Sequence, residues 1–175
     1  ALKVKEGDIV LDIGCGFGDT AILLAKRVGP EGRVLGVDCC DAFMDYGIKE
    51  AAEKGIDNVS FANGDALLMK FEPEYDFVFS RFGTMFFSNP VAALRNMRSA
   101  LKPGGVVTHI VWRTPDDNPW LSMAKDVVLR YLPPPGEDAQ TCGPGPFSMA
   151  GQDMVTKQLE ISGYSDSSSS VSTRP

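Results

Sequence analysis

Histidine is nearly missing from this chain. Its 175 residues include one, His109, and that residue stands apart from the four cysteines at 15, 39, 40 and 142. With no Cys-x-x-Cys pair and no Cys/His cluster, neither a structural zinc site nor a disulfide framework is expected, and no metal ligand is assigned. Long apolar runs are missing too. No stretch approaches the roughly 18 residues that span a bilayer, and the opening Ala1-Leu-Lys-Val-Lys-Glu-Gly7 lacks the apolar run of a secretory leader. Nor is there a basic cluster. Nucleic-acid binding draws on Lys and Arg displacing counterions from phosphates, so a net charge of −6 favours a small-molecule partner over a nucleic acid. Reduced thiols in the cytoplasm are the default expectation.

What is present is the ordinary mixture of a globular domain, 43% hydrophobic and 23% charged, in a length that suits one domain. Residues 8–13 read as a buried strand, followed by the run Gly14-Cys15-Gly16-Phe17-Gly18. Asp19 or Thr20 can cap the next helix, which carries Ala21, Leu24, Ala25 and Val28 on one face. Residues 33–38 are a second strand, and Asp41 opens a helix with Met44, Ile48, Ala51 and Ala52 turned inward. Residues 59–61 and 76–80 are the third and fourth strands. Asn89 and Pro90 start a helix striped by Val91, Leu94, Met97 and Leu101. Lys102-Pro-Gly-Gly105 then turns the chain into a fifth strand, 106–112. Strands alternating with helices need crossover connections, which means a parallel sheet covered on both faces. Further on, a helix from Asn118 carries Trp120, Met123, Ala124, Val127, Val128 and Tyr131 on one side. A proline-rich loop to residue 146 and a last helix over 148–162 follow. Residues 1–163 are thus expected to form the core, and the serine-rich 164–175 a polar tail.

The glycine run lies between a strand and a helix. Glycines there let the backbone bend sharply and let a ligand lie against it, and the following helix offers unpaired N–H groups. A dinucleotide fingerprint, G-x-G-x-x-G, would place its third glycine at 19. That position is Asp, and the glycine falls at 18, a spacing that leans away from pyrophosphate. Asp38, at the end of strand two, can accept both hydroxyls of a ribose, or cap a helix. Asn63-Gly-Asp-Ala66 follows strand three, where a carboxylate can accept from an exocyclic amine; alone it is only a turn. Tyr75-Asp-Phe-Val-Phe-Ser80 runs into Arg81-Phe82-Gly83 at the carboxyl end of the sheet, where open α/β folds bind ligands.

In this order and spacing Asp12-Ile-Gly-Cys-Gly-Phe-Gly18, Gly36-Val-Asp38, Gly64-Asp-Ala66, the 75–80 strand and Leu101-Lys-Pro-Gly-Gly105 resemble class I S-adenosylmethionine-dependent methyltransferases. The chain looks most like the small-molecule group that includes ubiquinone/menaquinone-biosynthesis C-methyltransferases, over residues 6–113. The resemblance implies an α/β fold, a Rossmann-like doubly wound, mainly parallel sheet of strand order 3-2-1-4-5. It implies S-adenosylmethionine as cofactor. The methionine end would meet Asp12, Gly14, Cys15, Gly16 and Gly18, with Ser80 and Arg81 passing beside it. Asp38, with its neighbour Cys39, would hold the ribose, and Asp65 and Ala66 the adenine. The implied reaction is in-line transfer of a methyl group to a small, apolar or aromatic molecule. The sulfonium already activates the methyl group, so no catalytic side chain is assigned. Phe82, Met85, Phe86, Trp112 and Arg113 are the acceptor-side candidates, and His109, inside strand five, reads as a core or face histidine rather than a base.

Members of this group carry helices before strand one and an antiparallel strand pair, six and seven, at the end. The chain is expected to lack both and looks truncated at either end, leaving a sheet edge through which a homo-oligomer could form. Two alternatives follow. One is a catalytically silent S-adenosylmethionine-binding fragment that needs a partner chain. The other is an NAD-dependent oxidoreductase, which the glycine at 18 and the lack of a Ser-Tyr-Lys or similar hydride-handling set disfavour.

Overall fold

A computed structural model describes residues 3–133 and 144–170. In chain order the elements are β1 (Ile9–Ile13), α1 (Asp19–Val28), β2 (Arg33–Asp38), α2 (Asp41–Glu53), β3 (Val59–Asn63), β4 (Tyr75–Arg81), α3 (Pro90–Ala100), β5 (Leu101–Ile110), α4 (Pro119–Val128) and α5 (Gln152–Ile161), with single 3-10 turns at Thr84–Phe86 and Pro115–Asp117. Among the described residues five strands form one sheet, in the order β3-β2-β1-β4-β5. Every pairing is parallel. This is the doubly wound sheet that the sequence pattern predicts.

β1 lies at the centre with both faces covered, so it is an unbroken apolar run save for Asp12. On one face Ala21, Leu24, Ala25 and Val28 of α1 pack on Val10, Val34, Phe77 and Phe79. On the other, Leu94, Met97 and Ala100 of α3 pack on Leu11, Ile13, Val37 and Val78. The end of α1 is closed by Gly29, at φ 71°, and by Asn58, whose Nδ2 donates to the carbonyls of Ala25, Gly29 and Gly32. Asp76 ties three strands at their amino ends: its carboxylate accepts from the Ile9 N–H at 2.9 Å and from Lys102 Nζ at 2.7 Å.

Several local expectations change. Gly18, at φ 88° and without a side chain, is the N-cap of α1, so Asp19 lies in the first turn, where its charge suits the helix dipole. The inward face of α2 is Met44, Gly47 and Ala51, while Ile48 is 54% exposed and Ala52 is also exposed. Gly47 takes the inward place, where a Cβ would press on the Phe61 ring at 3.0 Å. In α3 the buried row is Ala93, Leu94, Met97 and Ala100, with Val91 only half-buried and Leu101 already in β5. Residues 102–105 are no separate turn but bulge within β5, since Tyr75 pairs with Leu101 and Phe77 with Val106. The expected α4 stripe faces outward: Trp120, Met123, Val127, Val128 and Tyr131 are all at least half exposed. Tyr164 belongs to the core, its hydroxyl donating to the Leu94 carbonyl at 2.9 Å. The described part of the tail, 165–170, forms neither helix nor strand. Cys142, most of the expected loop before residue 146 and the end of the tail lie outside the described residues. Among those described, no helix is long and apolar enough to cross a membrane.

Candidate functional site

At the carboxyl ends of the strands a cleft of about 590 Å³ opens between the loops that follow them. Gly14, Asp38, Asp65 and Ala66 line it, together with Phe82 and Phe86. Each reaches the cleft for a local reason. Gly14 leaves β1 at φ 68° and donates its N–H to the Val37 carbonyl at 2.8 Å. A Cβ on Gly14 would lie 2.9 Å from the Gly83 Cα, so the loops after β1 and β4 touch backbone to backbone. Gly16 also takes a positive φ, and among the described residues nothing lies within 4 Å of where its Cβ would be. Gly18 serves packing, because a Cβ there would strike the Phe61 ring at 2.7 Å.

Asp38 ends β2 with its carboxylate turned to the glycine bend. One oxygen accepts from the Gly16 N–H at 2.9 Å and the other from the Cys40 N–H at 3.1 Å. Each carboxylate oxygen has capacity for a further donor. Cys39, beside it, is exposed and lines the cleft. Asp65 is exposed, and one of its oxygens accepts from the Leu67 N–H at 2.8 Å, holding the turn after β3. Ala66 beneath it is buried.

Asp12 lies below the bend, 1% exposed, and among the described residues neither of its oxygens has a hydrogen-bond partner. Burial pushes its carboxyl from the ordinary 3.8 up to about 8; Arg81 nearby pulls it down and Asp38 pushes it further up. Cys15 is buried as well, and burial together with the Asp12 charge raises its thiol above the ordinary range. Near neutral pH both groups therefore hold their protons, and the floor under the glycine bend is polar but largely uncharged.

The remaining predicted residues divide. Ser80 and Met85 are wholly buried, Ser80 with an unpartnered hydroxyl among the described residues and Met85 with its sulfur accepting from the Trp112 N–H at 3.3 Å. Arg81 is exposed and stands off the lining, acting on Asp12 through its charge. Trp112 reaches the cleft only through Phe82, on which it stacks with ring centres 4.3 Å apart. Arg113 pairs with Asp117 at 3.0 Å and borders, with His109, a separate hollow of about 500 Å³ beside β5 and α5. Burial lowers the pKa of His109. Residues to which the sequence reading gave no site role also build the site. Phe43, Leu67 and Phe87 complete the apolar walls, and Gly83 makes the close backbone contact. Asn96 of α3 pins the turn after β3, its Nδ2 donating to the carbonyls of Ala66 at 2.6 Å and Met69 at 2.8 Å. An asparagine in mid-helix, where its propensity is poor, was the signal available for it.

Strand order and cleft define an α/β domain that takes a small molecule at its sheet tips, of a shape and chemistry suited to a nucleoside bearing an amino-acid tail. Two carboxylates with acceptor capacity, a buried one beneath an open bend and apolar walls fit an ammonium, a diol and a flat base. Residues 4–131 match the methyltransferase domain family, and the chain belongs to it, as a class I domain whose cofactor is S-adenosylmethionine. It is similar to the demethylmenaquinone methyltransferase of Listeria monocytogenes serotype 4a, with 31% identity over 134 residues, 76% of this chain and 56% of that protein. The same enzyme of Staphylococcus aureus is 38% identical over 107 residues, 61% of this chain and 44% of its own length. The chain thus spans about half the length of the curated relatives it matches. Its fold is that of an S-adenosylmethionine-dependent methyltransferase from Aquifex aeolicus, with a TM-score of 0.68 at 23% identity over 91% of this chain and 73% of that one.

Proposed function

We propose that this protein transfers a methyl group from S-adenosylmethionine to a small, apolar or aromatic molecule, in the cytoplasm, with residues 1–163 as the binding core. The observation that carries the reading is the convergence of the Gly14 bend, Asp38 and Asp65 on one cleft with aromatic walls. Asp12 and the open bend at Gly14–Gly16 would hold the methionine end, where the ligand's ammonium would favour loss of the proton that burial keeps on the Asp12 carboxyl. Asp38 would take the ribose hydroxyls, and Asp65 with the Ala66 backbone the adenine. When bound, S-adenosylmethionine supplies a methyl group already activated by its sulfonium. The protein's task is then alignment, which is worth roughly 7–11 kcal/mol of barrier when two reactants are held in attack geometry. Phe82 and Phe86 face the acceptor side of the cleft and exclude water from it. Of the other acceptor-side candidates, Met85, Trp112 and Arg113 act at one remove.

The test is stabilisation by S-adenosylhomocysteine, which binds only the folded state. Ligand at 100 times its Kd adds about 2.7 kcal/mol. Asp38→Ala should lose most of that shift, since each charge-assisted hydrogen bond removed is worth roughly 1.5–3 kcal/mol. A folded protein that millimolar S-adenosylhomocysteine leaves unshifted, or that NAD(H) saturates more tightly, refutes the reading. The second reading is binding without turnover until a partner chain completes the acceptor pocket. Binding without methyl transfer across a broad acceptor panel selects it.

A further inference from the structure

Phe82 is the one residue between Lys3 and Arg130 other than glycine with a left-handed backbone, φ 61°. Such a conformation is unfavourable for a bulky side chain and persists only where its surroundings enforce it. Two contacts enforce it here. The Phe82 N–H donates to the Ile110 carbonyl at 2.8 Å, extending the β4–β5 ladder past the end of β4. Its ring lies against that of Trp112 at 4.3 Å with only 8° between the planes. Trp112 is itself fixed, by its N–H on the Met85 sulfur and by the edge of Trp120 at 5.5 Å. Trp120 follows directly on the turn that Asn118 closes, its Nδ2 donating to the carbonyls of Arg113 and Thr114.

A core residue could fill this space without the strain. Phe82 instead lines the same cleft as the Gly14 bend and Asp38, one residue before Gly83, whose Cα packs against Gly14. The strain therefore presents a flat face, rigidly backed by a second ring, at the place where an acceptor must be oriented. Methyl transfer is sensitive to that orientation, because a misplacement of about 1 Å costs on the order of a hundredfold in rate. We propose that Phe82, backed by Trp112, is the acceptor-positioning and specificity-determining residue, and that the acceptor it selects presents a planar ring rather than a saturated one. This rests on the methyltransferase reading above and goes beyond it in naming the residue and the shape it selects. Aromatic rings prefer offset or edge contacts with one another, which a fixed ring offers and a mobile aliphatic chain does not.

The experiment is a set of calorimetric titrations on the chain as it stands, with S-adenosylhomocysteine and then, with and without saturating S-adenosylhomocysteine, with 1-naphthol and its saturated counterpart decahydro-1-naphthol. The variants are Phe82→Leu, Phe82→Tyr and Trp112→Leu. The wild-type protein should bind 1-naphthol at least tenfold more tightly than the saturated alcohol. Phe82→Leu and Trp112→Leu should erase most of that preference, and Phe82→Tyr, which keeps the ring, should retain it. Far-ultraviolet circular dichroism of every variant, together with the retained preference of Phe82→Tyr, separates positioning from a general loss of structure. Equal binding of the two alcohols, or a preference that survives in Phe82→Leu, overturns the proposal while leaving cofactor binding intact. Failure of S-adenosylhomocysteine to bind the folded wild-type protein overturns the methyltransferase reading and this proposal with it.

Discussion

Replacing Asp12 by Asn should reshape the pH dependence of stability, and the structure gives the sign. The Asp12 carboxyl is 1% exposed and sits at about 8 in the folded protein, against 3.8 as its ordinary value. The folded state therefore holds this proton more tightly than the unfolded chain does. Between those limits unfolding releases a proton, so stability falls as pH rises, by about 1.4 kcal/mol per unit, and levels off above about 8. The whole effect, some four units, is on the order of 5 kcal/mol across pH 4 to 8. Asn is neutral throughout, so its curve lacks this slope, although its buried amide without partners costs about 1–3 kcal/mol at every pH. Urea unfolding of both proteins, followed by tryptophan emission at half-unit steps from pH 6.5 to 8.5, measures the difference. His109, which burial keeps neutral, acts below pH 6.5 and cancels between the two proteins. The wild type should lose about 2 kcal/mol relative to Asp12→Asn between pH 6.5 and 8, and little more above that. Parallel curves would refute the assignment of a protonated carboxyl beneath the bend.

Asn96→Ala removes both hydrogen bonds on the turn after β3 and should weaken S-adenosylhomocysteine binding about tenfold, equivalent to about 1.4 kcal/mol; Asn96→Asp, which cannot donate, should match it in calorimetry. Gly14→Ala combines a φ of 68° with a contact at 2.9 Å to the Gly83 backbone, so it should cost about 1–2 kcal/mol for the dihedral alone and abolish ligand-induced stabilisation, both read by thermal unfolding. Lys102→Ala tests the knot at Asp76. Burial alone would raise that carboxyl, but hydrogen bonds from Lys102 and Ile9 hold it below its ordinary value. The variant should lose about 1 kcal/mol at pH 7, after allowing for solvent screening of this partly exposed pair. That difference should vanish as pH falls below 3.8, when the Asp76 carboxyl takes up its proton.

The sheet was legible because β1, β2 and β4 are buried on both faces and so read as short apolar runs between glycine and proline signals. α2 was legible as a helix but not as to its face, because the residue that turns inward, Gly47, carries no side chain for a hydrophobic pattern to register. The bulge at 102–105 read as a turn because its local chemistry is that of a turn; only the pairing with Tyr75 makes it part of a strand. In the site, Gly14, Asp38 and Asp65 could be picked out since strand tips and bends announce themselves in sequence. Met85 could not be separated from Phe86, because which of two neighbours faces a cleft depends on how the short turn at Thr84–Phe86 lies. Asn96 and Phe43 come from helices whose approach to the cleft is decided by the packing of the whole sheet, which no local pattern carries.

Consider finally the bond from the Ile9 amide to Asp76, made by residues 67 apart in sequence. With the touching backbones of Gly14 and Gly83 it stitches the amino-terminal half of the sheet to the carboxyl-terminal half at both extremities of the β1–β4 seam. Half-made, the molecule has no receptacle: one wall is contributed by each half, and bringing distant parts of a polymer together is the slow, entropically opposed event in assembly. Occupancy by a ligand therefore doubles as a record that this seam has closed, and a nascent chain released before β4 emerges would have nothing to grip.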